Sequence, residues 1–147
     1  TGTRDAMAVF ISRAIAGGDA AVPAGPGVAT FSDVPTDHWA FRYVEYAVAQ
    51  EVVGGYEGGI YRPNLTVTRD QMAVFVARGL AGGDSLVPSG PETATFTDVP
   101  ESHWAYRYVE YCGGEGVVGG YSDGTYRPLA NVTRDQMAVF VRRGFLP

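Results

Sequence analysis

An internal repeat constrains this chain more than any other feature. Residues 31–82 align with residues 96–147 without a gap, 65 positions apart. Phe-x-Asp-Val-Pro opens both copies, at Phe31 and Phe96, and His-Trp-Ala follows at His38–Ala40 and His103–Ala105. Gly-Gly-Tyr comes next, at Gly54–Tyr56 and Gly119–Tyr121, then Tyr-Arg-Pro at Tyr61–Pro63 and Tyr126–Pro128. A run from Thr68 to Val76 and from Thr133 to Val141 closes each copy, and its counterpart at Thr3–Phe10 opens the chain. Met7, Met72 and Met137 therefore share one repeat position. Units of this size cannot bury an apolar face alone, so they are expected to share one core. The spacing predicts the closing half of a first unit at 1–17, a linker at 18–30, a second unit at 31–82, a linker at 83–95 and a third unit at 96–147. Both linkers are rich in Gly, Pro, Ala and Ser and read as surface loops. The opening half of the first unit is missing, so either the chain was cut there or another chain supplies it.

Each full unit reads as two helices around a loop. Asp37 and Ser102 are candidate N-caps for a first helix, which runs in the second unit to about Val53. Trp39, Ala40, Tyr43, Val44, Ala47 and Val48 fall at helical spacing as its apolar face. Gly54 and Gly55 are expected to end it in the left-handed cap. In the third unit Gly113, Gly114 and Gly116 occupy the last turns, which predicts a shorter or irregular helix. A turn follows in each copy, and Tyr61 and Tyr126 then lead into Arg-Pro, where extended backbone is expected. The second helix opens at Thr68 with Gln71 three residues on, a capping box repeated at Thr133 and Gln136 and weakened at Thr3 by Ala6. Met72, Ala73, Phe75, Val76 and Leu80 wrap more than half of that helix, so it is buried on several sides. Three equivalent helices are expected to form a central bundle, with the Trp-bearing helices outside it as lobes.

Composition removes several function classes. The formal charge is −5 and every basic residue is Arg, which argues against nucleic acid and suits flat contacts to carboxylate or phosphate; a compositional bias of the host is the plainer account of the missing Lys. No apolar run approaches the ~20 residues that span a bilayer, and no basic-apolar leader opens the sequence. Cys112 is the single cysteine, standing where the second unit has Ala47, so neither an internal disulfide nor a Cys/His metal cluster is expected. The Asp123-Gly124 turn lacks the further acids of a calcium loop. His38 and His103 read as partly exposed structural residues. No nucleophile, base and orienting group are spaced as a set, so no catalytic residue, metal ligand or cofactor is assigned.

Taken in order, these motifs resemble the S-layer homology domain, whose pattern is Phe-x-Asp-Val, Trp-Ala, Gly-Tyr-x-Asp-Gly-x-Tyr/Phe-x-Pro and Ile/Val-Thr-Arg-Ala-Glu. Here it reads Phe31-x-Asp33-Val34, Trp39-Ala40, Gly55-Tyr56, Tyr61-x-Pro63 and Val67-Thr68-Arg69. The third unit matches at Phe96, Asp98, Val99, Trp104, Ala105, Gly120 to Pro128 and Val132-Thr133-Arg134. The sequence departs at Asp-Gln for Ala-Glu, at Gly58 for Asp, in its long linkers and in the absent first lobe. The resemblance implies a mainly α, pseudo-threefold spindle with a central bundle of three helices and peripheral helix-loop lobes, the first lobe missing. It also implies a non-catalytic anchor, extracellular on a bacterial surface, whose inter-lobe grooves bind anionic secondary cell-wall polysaccharide, often pyruvylated, or a peptidoglycan-linked polymer.

A pyruvylated sugar presents a carboxylate beside a polar ring, so it needs a fixed cation, backbone donors and a flat apolar surface. Arg69 and Arg134 stand at the first helical position after their Thr caps, and Arg4 matches them. A helix start offers unsatisfied N–H groups and a positive dipole end, and Arg adds bidentate geometry. The alternative is that Asp70 and Asp135 satisfy the dipole and the arginines pair with Asp33 or Asp98 inside the fold. Asp33 and Asp98 read first as loop braces. Tyr56, Tyr61, Tyr121 and Tyr126 lie in loops and are the better stacking candidates, while Trp39 and Trp104 read first as core. The expected set of contacts is completed by Gly55 and Gly120. A second expectation is a self-assembling surface subunit, a homo-oligomer or filament, using apolar surface near Met7 and Phe10 left uncovered by the absent lobe.

Overall fold

The computed structural model describes residues 1–146; Pro147, the expected last residue of the third unit, lies outside the described residues. Five α-helices follow in order: α1 (Arg4–Ala16), α2 (Phe41–Ala49), α3 (Arg69–Ala81), α4 (Tyr106–Gly114) and α5 (Arg134–Phe145). Among the described residues, backbone pairing of strand type is confined to isolated bridges at Thr3/Thr66, Thr68/Asn131 and Tyr56/Ile60. No helix among them is long and apolar enough to cross a membrane.

The central bundle is α1, α3 and α5, each touching the other two. Met7, Met72 and Met137 are fully buried in it, each a side chain whose truncation to Ala typically costs about 2–5 kcal/mol. A closed ring of backbone hydrogen bonds seals one end of the bundle: Gly2 N–H donates to the Val132 carbonyl (2.8 Å), Val132 to Val67 (2.9 Å) and Val67 back to Gly2 (3.0 Å). These three residues are equivalent in the repeat, so the ring expresses the pseudo-threefold order directly. Gly2 suits that place, because a Cβ would lie 2.6 Å from the Val132 carbonyl oxygen as well as 2.5 Å from the Met137 methyl.

The lobe helices pack on the bundle, α2 on α1 and α4 on α3. Small residues allow the approach. Ser12, fully buried, donates to the Tyr43 carbonyl (2.8 Å), and the Cys112 sulfur lies 3.5 Å from the Ala73 carbonyl. No described lobe covers α5, so Ala138 and Val139 are exposed where Ala73, Val74, Ala8 and Val9 are buried. This corrects the expected uncovered surface: Met7 is inside, and the open apolar face belongs to α5 and the half-buried Phe10 edge of α1.

The lobes differ locally from the sequence reading. Their helices start at Phe41 and Tyr106, later than Asp37 and Ser102, because the preceding residues form tight turns. His38 N–H donates to the Pro35 carbonyl, and His38 Nδ1 accepts the Ala40 N–H at 3.1 Å; His103 does the same for Ala105. The chain leaves α2 through left-handed Glu51 (φ 59°) and α4 through Gly116 (φ 76°), so Gly54 and Gly55 are loop residues and not caps. α4 is as long as α2, nine residues each, despite Gly113 and Gly114; each helical Gly there gives up about 1 kcal/mol relative to Ala. Arg62 and Arg127, expected to be extended before Pro, are left-handed (φ 60°).

Both linkers are pinned. Asp19 accepts from the Tyr43 hydroxyl (2.5 Å), Arg13 Nε (2.7 Å) and Arg42 Nη2 (2.7 Å). Asp84 repeats this with Tyr108, Arg78 and Arg107. The tyrosine hydroxyl, then the arginine, hold each carboxyl down to about 2. Further along, Thr30 and Thr95 donate through N–H and hydroxyl to the buried carboxylates of Glu45 and Glu110.

Candidate functional site

The repeat builds the same groove twice. In the first, Arg4 at the start of α1 meets the loop Gly54-Gly55-Tyr56, then Gln71, Val74, Phe75 and Arg78 along α3, and finally Trp104 from the next lobe, around a hollow of about 310 Å³. The second is its counterpart 65 residues on: Arg69, Gly119-Gly120-Tyr121, and Gln136, Val139, Phe140 and Arg143 along α5, around about 190 Å³. It has no tryptophan wall among the described residues. Each groove thus draws its arginine from one unit and its loop from the next, and the first groove takes its tryptophan from the unit after that.

The arginine both organises and charges the groove. Arg4 is 4% exposed. Its Nε donates to the Tyr61 carbonyl (2.8 Å) and its Nη2 to the Gly54 carbonyl (3.0 Å), tying the loop to the bundle. Its guanidinium carbon lies 4.3 Å from the Tyr61 ring centre, 4.9 Å from Tyr56 and 5.5 Å from Phe75. Arg69 repeats the pattern, with Nε on the Tyr126 carbonyl (2.7 Å) and Tyr126, Tyr121 and Phe140 rings around it. In both, Nη1 makes no hydrogen bond within the described residues and each arginine lines the hollow, so a cationic edge held by aromatic rings faces the groove. Arg134 stands differently: it is exposed, 5.6 Å from the Phe10 ring, with no loop closing over it among the described residues.

The helix starts themselves are not open donors at α1 and α3. Arg4 and Asp5 N–H groups donate to the Leu65 and Pro63 carbonyls, and those of Arg69 and Asp70 to Ala130 and Pro128, all at 2.9 Å. The segment after each Tyr-Arg-Pro crosses the preceding unit's helix start and occupies it. Gln71 and Gln136 complete their capping boxes by accepting the Thr68 and Thr133 N–H groups.

The aromatic roles differ from the sequence reading at Tyr61, Tyr126, Trp39 and Trp104, and agree with it at Tyr56 and Tyr121, which line the grooves. Tyr61 and Tyr126 are 0% exposed and serve as scaffold. Each packs on a buried Phe ring at 5.4 Å and donates its hydroxyl to the carbonyl of Arg4 or Arg69. Burial pushes both hydroxyls well above the ordinary phenol range. Trp39 and Trp104, read first as core, are 61% and 60% exposed. They lie outside the lobe helices, each stacked on its neighbouring histidine. Tyr56 and Tyr121 are half-buried in the groove walls, and Arg62 and Arg127 also lie against their rings at 4.5 and 3.7 Å. Asp33 and Asp98 are braces: each carboxylate accepts two backbone N–H groups, of Tyr61 and Arg62 or of Tyr126 and Arg127, all at 2.8 Å. They pair with none of the three helix-start arginines. Gly55 and Gly120 let the loop pass over Phe31 and Phe96, where a Cβ would lie 2.3 Å from the ring. Sequence reasoning missed Phe75, Arg78, Phe140 and Arg143 as groove residues; their recurrence 65 positions apart was the available signal.

The S-layer homology domain family matches residues 30–73 and 95–138. The chain is 31% identical over 114 residues to a cellulosome-anchoring protein of Acetivibrio thermocellus, covering 78% of this chain and 25% of that protein. It is 32% identical over 115 residues to an endoglucanase of a Bacillus species, covering 78% and 12%. Over 66 residues it is 39% identical to the outer membrane protein SlpA of Deinococcus radiodurans, covering 44% and 6%. The chain thus spans a quarter or less of the length of these relatives.

Proposed function

Because the chain belongs to the S-layer homology domain family, we propose that it is a non-catalytic cell-surface anchoring module that holds an anionic wall glycan in its grooves. A pyruvylated secondary cell-wall polysaccharide, or a polymer linked to peptidoglycan, has the chemistry these grooves suit. The observation that carries the reading is the Arg4 groove. A buried guanidinium is fixed by two carbonyls, its remaining edge faces a hollow, and an exposed tryptophan and a half-buried tyrosine flank it. That arrangement pairs a carboxylate with a cation whose orientation is settled before binding, and offers a sugar ring an apolar wall. The relatives named for anchoring support the same reading.

The test compares two tryptophans in sedimentation with isolated wall material. Trp104 lines the complete groove, and Trp39 lines neither that groove nor its counterpart at Arg69. Trp104→Ala is expected to weaken binding about tenfold, the effect of ~1.4 kcal/mol at a stacked aromatic, and Trp39→Ala to leave it unchanged. Chemical removal of pyruvate from the wall should weaken the wild type. Equal effects of the two substitutions would remove the groove assignment.

The exposed outer face of α5 supports a second reading, a self-assembling surface or filament subunit. Light scattering across concentrations decides it, since a strict monomer at high concentration excludes this role.

A further inference from the structure

A different hollow occurs where each linker lies over its lobe helix. In the third unit it measures about 400 Å³ and is walled by Pro88, Pro91 and the half-buried Tyr111, with Gly114, Glu110 and Glu115 at its edge. In the second unit its counterpart measures about 300 Å³, with Ala49 in the place of Gly114. Position 115 corresponds to Gln50 there.

Gly114 has no structural reason to be glycine. It sits in a helix with no positive φ, and a Cβ would meet nothing within 4 Å. Glycine weakens a helix relative to alanine, so the missing methyl is unexplained by folding and enlarges the hollow. Glu115 adds a carboxylate beside Tyr111, whose hydroxyl is pushed up by burial and then by that carboxylate. Arg107 also lines the hollow, but its guanidinium is turned to other partners, donating to Asp84, the Tyr108 hydroxyl and the Val87 carbonyl, and its charge is matched by Asp84.

We infer that this hollow in the third unit binds a primary alkylammonium group. Proline rings and a tyrosine face suit a chain of methylenes, the ring face attracts the cation, and the exposed carboxylate of Glu115 supplies the opposing charge beside Glu110, whose oxygens already accept from Thr95. Residues 1–147 of a second copy offer no lysine side chain. The group therefore comes from a diamino-acid side chain in wall peptide or from a lysine of another protein.

The second unit supplies the controls, since Gly114→Ala and Glu115→Gln each install the residue that its equivalent lobe already folds with. The probe is Nα-acetyl-lysine methylamide, titrated into the ¹⁵N-labelled protein beside its uncharged norleucine analogue. The lysine probe is expected to shift the amide signals of Tyr111, Gly114 and Glu115. Each substitution should weaken it about fivefold, with signal dispersion retained. Wall peptides with free or acetylated amines, set against a lysine-containing peptide, identify the source: amine-dependent shifts in either arm support the site. Equal shifts from the norleucine analogue, no shifts with any amine, or unchanged affinity in both variants would overturn it. None of these readouts depends on the groove.

Discussion

Two adjacent glycines should behave in opposite ways. A Cβ on Gly54 meets nothing within 4 Å, whereas one on Gly55 lies 2.3 Å from the Phe31 ring and 2.8 Å from the Ile60 carbonyl. Phe31 has little room to retreat: it is 6% exposed and packs at 5.4 Å on Tyr61, which holds Arg4 in turn. Overpacking of this kind costs about 2–3 kcal/mol, so Gly55→Ala should lower Tm by roughly 5–10 °C. Gly54→Ala should stay within about 0.5 kcal/mol of wild type. Gly120→Ala combines the same clash with a backbone at φ 70°, and left-handed strain adds about 1–2 kcal/mol. Urea unfolding followed by circular dichroism, with m-values compared, measures all three. If Gly54→Ala and Gly55→Ala destabilise equally, the close approach of the loop to the Phe31 ring is wrong, and with it the geometry of the groove wall.

Tyr126→Phe removes a buried hydroxyl that donates to the Arg69 carbonyl at 2.9 Å; a loss of about 1 kcal/mol in urea unfolding is expected, with wall binding unchanged. Asp84 ionises at about 2 in the folded chain against an ordinary 3.8. Its contribution is therefore complete above pH ~4 and lost as pH falls through 2. Screening at this partly exposed site holds it to about 1 kcal/mol, and Asp84→Asn should flatten the fall in urea midpoint between pH 5 and 2.5. Cys112 is fully buried and its thiol is pushed up to about 12, so Ellman's reagent should react only after unfolding; reaction in native buffer would contradict the packing of α4 on α3.

What could be read from sequence was set by periodicity and local capping. The 65-residue spacing and the Thr-x-x-Gln boxes located α3 and α5, and the shared methionine position located the bundle centre. Asp33 and Asp98 also read as braces, though the N–H groups they accept lie 28 and 29 residues further along the chain. The misread residues depend on a local turn at Trp39 and otherwise on partners far along the chain. Trp39 fits the helical spacing of Tyr43, but a turn held by His38 delays the helix to Phe41 and leaves the tryptophan outside. The donors at the start of α3 are filled by carbonyls about 60 residues later, which no local rule anticipates. Tyr61 sits in a loop by pattern and in the core by contact, since Asp33, Phe31 and Arg4 converge on it.

The ring through Gly2, Val67 and Val132 leaves no donor or acceptor of its three members over. An open solenoid accepts another unit at either end; a closed cycle admits none unless a bond is broken. Polypeptides assembled from this unit are thus expected to lengthen by whole triplets, each with its own closure, and a lone insertion would have nowhere to join.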